Sequence, residues 1–193
     1  STLRAEIKVS GIVQGVGFRP FIYRIAVENE LVGYVRNRGD AVVEIVVEGR
    51  KNDVNNFLGK LKGKKPPLAR IYEIATNYAE GRGKFKKFTI LGSSEKVELS
   101  GSVISPDVSI CDECLKDLRD PRNQRYNYFF ITCTNCGPRY TIIEGVPYDR
   151  LNTTMRDFSM CEFCNREYKD PSNRRFHAQT VACSKCGPRA YLT

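Results

Sequence analysis

The sequence predicts an α+β chain in two parts: a β-α-β-β-α-β unit over residues 1–91 and, past a linker at 92–106, a small metal-stapled unit over 107–193. Apolar residues in the first ninety positions alternate between a period of 2 and a helical period, as strands and amphipathic helices require. All eight cysteines lie at or beyond Cys111, always as Cys-x-x-Cys pairs. Those pairs recur in register after 50 residues, so the second part is two copies of one unit. At 193 residues the chain can bury two modest cores.

Leu3, Ala5, Ile7 and Val9 alternate with charged neighbours and predict the first strand. A glycine-rich turn follows, then a helix opened by Pro20, with Phe21, Ile22, Ile25, Ala26 and Asn29 on one face. Leu31 to Arg36 and Val42 to Glu48 predict a hairpin whose turn is Asn37, Arg38, Gly39 and Asp40. Val54, Phe57, Leu58 and Leu61 predict a second helix behind a cap at Asn52 or Asp53, stopped by Pro66 and Pro67. Ile71 to Asn77 and Phe85 to Leu91 read as closing strands, giving the split βαβ order of a ferredoxin-like fold.

Residues 92–106 are rich in glycine and serine and end at Pro106, the composition of a linker. Beyond them Cys111, Cys114, Cys133 and Cys136 are matched by Cys161, Cys164, Cys183 and Cys186. Asp120-Pro121 and Gly137-Pro138-Arg139 are likewise matched by Asp170-Pro171 and Gly187-Pro188-Arg189. Each copy reads C-x2-C-x18-C-x2-C, the spacing of a structural zinc site, in which two turns complete a tetrahedron of sulfurs. The expectation is two structural zinc ions, one per repeat. Crossed pairing of the turns, redox-active disulfides and a mononuclear iron site are the competing readings. Gly137 and Gly187 are expected to take positive φ and turn amides toward the sulfurs. The apolar residues of 107–193 come in short groups such as Tyr128 to Ile131, too few to fold without metal. His177, the one histidine, is open to reading as ligand, substrate contact or surface residue; in its stretch, Arg174 to Gln179, the arginines and His177 are expected to face a neighbouring domain.

Charge is unevenly shared. Of 31 Lys and Arg, 17 lie in residues 1–91, against only 9 of the 22 Asp and Glu. A basic first half suits an anionic substrate or RNA equally, whereas eight thiolates on two zinc ions make the second half net negative, which argues against nucleic acid there. No apolar run approaches the roughly 20 residues that span a bilayer, and the cysteine usage fits a reducing compartment, so a cytoplasmic protein is expected.

Between the first strand and helix runs Gly11-Ile12-Val13-Gln14-Gly15-Val16-Gly17-Phe18-Arg19. Its glycines let the amides of Gln14, Gly15, Val16, Gly17 and Phe18 turn inward at a helix start, which makes a cradle for an anionic phosphate. Arg19 can bridge phosphate and carbonyl oxygens with its planar guanidinium. The string resembles the acylphosphatase signature G-x-V-Q-G-V-x-F-R at every specified position. Gly33-Tyr34-Val35-Arg36-Asn37 resembles that family's G-x-V-x-N hairpin. The resemblance implies that Arg19 binds substrate and Asn37 orients the attacking water.

An acylphosphatase unit followed by these paired cysteine units resembles the HypF family, the carbamoyltransferases of nickel-iron hydrogenase maturation. Asn135 to Ile142, Pro147 to Met155 and Arg174 to Gln179 carry the resemblance beyond the cysteines. It implies hydrolysis of carbamoyl phosphate as the first step of a transfer to HypE, with ATP used by further domains, since the chain shows no Walker loop or dinucleotide fingerprint. A zinc-containing RNA-binding module and a purely structural fragment remain as alternatives; the strand runs lack the aromatic motif of RNA-binding sheets.

Overall fold

The computed structural model describes residues 2–38, 42–94 and 104–192. Strand β1 (Thr2–Ile12) lies inside the sheet, one strand from its edge, and leads into helix α1 (Phe18–Glu28). Strands β2 (Val32–Asn37) and β3 (Val43–Arg50) form the hairpin, helix α2 (Lys51–Gly63) follows, and β4 (Arg70–Glu80) and β5 (Phe88–Ile90) close the unit. The strand order is β4-β1-β3-β2-β5, antiparallel throughout except that β5 runs parallel to β2. The first four strands have the ferredoxin-like order, and β5 adds a short fifth.

The period-2 pattern decides which face is buried. Ala5, Ile7 and Val9 of β1 and Val43, Ile45 and Val47 of β3 are fully buried beneath Ile22, Ala26, Val54, Phe57 and Leu61 of the two helices. The opposite face carries paired charges: Arg4 meets Glu6 and Glu48, and Arg36 meets Glu44.

The structure moves three of the expected boundaries. Helix α1 begins at Phe18, so Arg19 lies in its first turn. Helix α2 has Arg50 at its cap position with no side-chain cap; Asp53, one turn in, instead accepts a 2.6 Å hydrogen bond from Arg50 Nε. The last strand is only three residues long because Phe85 leaves the ladder to pack its ring on Tyr34, with Arg4 over its face. Gly39 and Asp40 of the hairpin turn, and residues 95–103 of the expected linker, lie outside the described residues.

The cysteine-rich part has two eight-residue helices, α3 (Asp112–Arg119) and α4 (Glu162–Lys169), at equivalent places in the two repeats, each ending at an Asp-Pro. Its apolar residues form two small clusters in which cysteines are themselves members, separate from the core under the sheet. A metal-dependent fold predicts this division.

Phe57 is fully buried at the centre of the helix-covered face. Phe57→Ala should therefore cost about 3–5 kcal/mol in equilibrium denaturation. Metal content should not change, because the cysteine clusters share no core with that residue; a cost below about 1 kcal/mol would contradict the packing described.

Candidate active site and metal centres

The loop between β1 and α1 is built by its neighbours in the chain. Val13, Val16 and Phe18 sink their side chains into the core, so what they leave for a ligand is backbone. Gly15 and Gly17 take φ of 72° and 76°, left-handed values that let the chain turn into the helix, and Gly17 is the cap residue of α1. Gln14 ties the loop to the hairpin: its Nε2 donates to the carbonyl of Arg38 at 3.0 Å. Asn37, at the end of β2, is 1% exposed, and neither its amide nitrogen nor its oxygen has a hydrogen-bond partner among the described residues. A buried amide with both ends open can bind a small polar molecule such as water without giving up a bond of its own.

The cysteine-rich part roofs this loop. A Cβ on Gly15 would press on the Tyr148 ring at 3.1 Å and on Pro138, and one on Gly17 would come within 2.9 Å of Thr134. The Tyr148 amide donates to Gln14 Oε1 at 3.2 Å. Arg19, 7% exposed, donates from Nη2 to the Tyr148 carbonyl at 3.2 Å and to Asp149 Oδ1 at 2.7 Å. Gly15, Gly17, Arg19, Thr134, Tyr148 and His177 bound a small cavity over the loop, and a second cavity opens on the far side of Arg19. The joint extends along α1, where Arg24 donates to the carbonyls of Pro171 and Asn173 and Tyr23 packs on Phe176. Of the stretch from Arg174 to Gln179, Phe176 and His177 face the first half, as expected for His177, whereas Arg174 and Arg175 turn instead to Asp117 and Cys114 of the other repeat.

His177 belongs to neither cysteine cluster. It takes φ of 53°, packs between Tyr168 and Phe176, and lines the cavity beside Arg19. Burial, with the Arg19 guanidinium nearby, pushes its imidazole down to about 4, so it is neutral at pH 7.

The cysteines assemble within repeats. Cys111, Cys114, Cys133 and Cys136 form one group and Cys161, Cys164, Cys183 and Cys186 the other, with all sulfurs of a group within 4.8 Å of one another. Nearest sulfurs are 3.7–3.8 Å apart. A tetrahedral ion about 2.3 Å from each sulfur sets them about 3.8 Å apart, whereas a disulfide needs about 2.0 Å. The expected positive φ holds for Gly137, at 72°, but not for Gly187. Gly187 is required for a different reason: a Cβ there would lie 2.0 Å from the Tyr128 hydroxyl.

Each repeat also supplies an arginine to the other repeat's cluster, which the sequence reading did not find. Arg125 donates to Cys164 Sγ at 3.4 Å and to the Ala182 carbonyl, and pairs with Glu167 at 2.5 Å. Fifty positions on, Arg175 donates to Cys114 Sγ at 3.8 Å and to the Thr132 carbonyl, and pairs with Asp117 at 2.7 Å. Both arginines are at least 98% buried, so each guanidinium offsets thiolate charge from which water is excluded. Their positions are in register across the repeat, and that was the available signal.

Residues 5–90 match the acylphosphatase family, and residues 110–143 and 160–193 each match the HypF finger. A probable carbamoyltransferase HypF of Methanocaldococcus jannaschii is 53% identical over 150 residues, 78% of this chain and 20% of that protein. The chain belongs to the HypF family. It superposes on full-length HypF, solved in a phosphate- and nucleotide-bound form, with a TM-score of 0.90 and 48% identity over 98% of this chain and 25% of the other. The first half alone is 41% identical to an acylphosphatase of Syntrophotalea carbinolica over 88 residues, 46% of this chain and 95% of that enzyme. The chain thus spans about a fifth of the length of its HypF relatives and carries an acylphosphatase-type enzyme domain with paired HypF fingers.

The reciprocal arginines make an unusual prediction. Arg175→Leu should weaken metal binding at the Cys111 group, and Arg125→Leu at the Cys161 group, by roughly 10- to 100-fold, the scale for losing an outer hydrogen bond to a ligand. Mapping which cysteines alkylate first under chelator would show it. Weakening of the arginine's own repeat instead would refute the exchange.

Proposed function

We propose that this chain hydrolyses carbamoyl phosphate to carbamate and phosphate, and that in the whole protein the carbamate serves the ATP-dependent carbamoylation of HypE during nickel-iron hydrogenase maturation. The observation that carries the reading is Asn37, buried with its amide unpaired at the end of β2, beside Arg38, whose carbonyl accepts from Gln14 of the glycine loop that also presents Arg19. A buried amide with both ends open is suited to accept a hydrogen bond from the attacking water with Oδ1 and to donate one to the substrate with Nδ2. Arg19 and the amides from Gln14 to Phe18 supply the positive potential for the phosphate group. Water adds to phosphorus, the bond from phosphorus to the carbamoyl oxygen breaks, and carbamate departs as a resonance-stabilised anion while the water proton passes to phosphate. No metal or covalent intermediate is needed for so activated a substrate.

We assign zinc to both cysteine groups on the strength of their tetrahedral spacing and four-sulfur donor set, and divide the chain at 1–91, 92–106 and 107–193. With four ligands each, the ions leave no position for substrate and act structurally. The arrangement of eight free cysteines fits a reducing cytoplasm, and no helix among the described residues is long and apolar enough to cross a membrane. The RNA alternative finds little support in the mixed charge pairs on the open face of the sheet.

Arg19→Ala should abolish phosphate binding and turnover, and Arg19→Lys should restore little, since a point charge lacks the planar contact. Asn37→Ala should spare inorganic-phosphate binding and lower kcat by on the order of 10²-fold. Phosphate release from carbamoyl and acetyl phosphate, with phosphate inhibition constants, is the measurement, and full activity in Arg19→Ala would refute the assignment.

Metal analysis should find two zinc ions per chain. Chelation should unfold residues 107–193 and leave 1–91 folded, because only the second half uses metal in place of a core. Circular dichroism with limited proteolysis would show both effects, and simultaneous loss of the two halves would contradict their independence.

A further inference from the structure

A carboxylate beside the residue that is to hold an anion calls for explanation. Asp149 Oδ1 lies 2.7 Å from Arg19 Nη2, and its side chain is 22% exposed. Either Asp149 competes with the phosphate and must leave, or it holds the guanidinium while another part of that group meets the substrate.

The surroundings favour the second. Asp149 is committed at both ends, since Oδ2 accepts from the Ser93 hydroxyl while Oδ1 meets Arg19. The residues on either side are pinned as well. The Tyr148 amide is bonded to Gln14, and the Arg150 guanidinium donates to the carbonyls of Gln179, Val181 and Phe158 at 2.7–2.9 Å. A displaceable carboxylate would not be built into so many fixed neighbours. Arginine has five N–H donors. Both of its hydrogen bonds to the described residues leave from Nη2, so those of Nε and Nη1 remain for an anion. The segment beyond β5 ties this arrangement to the second catalytic side chain: Ser93 meets Asp149, and the Ser94 amide donates to the Asn37 carbonyl at 3.1 Å.

We propose that Asp149 is a positioning residue for Arg19, fixing one end of the guanidinium so that the rest faces the loop, and that the cysteine-rich half thereby completes the acyl-phosphate site. The proposal rests on the acylphosphatase reading above. It makes the roof over the loop part of the hydrolytic machinery, with Asp149 reaching Arg19 across 130 residues of sequence.

The test compares Asp149→Ala and Asp149→Asn with the wild type in phosphate release from acetyl phosphate and in equilibrium binding of inorganic phosphate, with metal content and circular dichroism as controls. Asp149→Ala should lower kcat by on the order of 10²-fold and weaken phosphate binding, the scale for a misplaced contact. Asp149→Asn keeps an oxygen for Nη2 and an amide to donate to Ser93, so it should recover turnover to within about tenfold of wild type. Tighter phosphate binding in either variant would identify Asp149 as a competitor and overturn the proposal, as would unchanged kcat and binding in Asp149→Ala. Should Asp149→Ala lose its metal, Asp149→Asn decides: near wild-type turnover without tighter binding supports positioning, and a loss as deep as 10²-fold overturns it. Wild-type protein that neither releases nor binds phosphate would instead fail the acylphosphatase reading itself; if it binds without turnover, the binding comparison decides.

Discussion

Four cysteine sulfurs held at the corners of a tetrahedron repel one another once ionised, and only a cation at the centre makes the arrangement favourable. The cysteine-rich half depends on this constraint twice over. Its helices are two turns long, its apolar clusters are small, and the cysteines sit inside those clusters rather than beside them. Burial raises the Cys164 thiol, and hydrogen bonds with Cys133 and Cys136 raise that of Cys114, while the same sulfur contacts lower Cys136, so without metal the charge collects on one sulfur of the group. A metal reverses that balance by favouring thiolate, and the energy of ligation becomes folding energy.

Because the repeats fold onto the glycine loop, the same ligation also shapes the anion site. Tyr148, Thr134 and Asp149 reach the loop from segments placed by the cysteine groups, while Arg24 and Tyr23 of α1 hold the joint from below. The ferredoxin-like sheet contributes the complementary part: β1 and α1 place Arg19, and the end of β2 places Asn37. The first half thus supplies the loop, Arg19 and Asn37, and the second half covers them.

What the sequence made legible was local. The strand alternation from Leu3 to Val9, the helical face from Val54 to Leu61, and the grouping of the cysteines all depend on residues near in sequence or repeated in register. The glycine loop and Asn37 were visible because they are short strings of restrictive residue types. The roof was not, because Asp149 meets Arg19 only after the intervening chain has folded, and nothing in an isolated Pro-Tyr-Asp marks its target. Phe85 misled the strand reading for a related reason: an aromatic residue fits a strand, but its partners are a ring and a guanidinium outside the ladder. Arg125 and Arg175 stand in register, but duplicated arginines on a surface loop and duplicated arginines on a neighbouring sulfur have the same spacing.

The exchange of arginines between repeats fixes a minimum size for this kind of module. Were one copy deleted, the surviving cluster would keep its four sulfurs and lose the guanidinium that neutralises them, while its own buried arginine would lose both the thiolate and the backbone carbonyl it serves. A single copy would thus carry an exposed arginine and an uncompensated thiolate cluster, so each finger is complete only in the presence of the other.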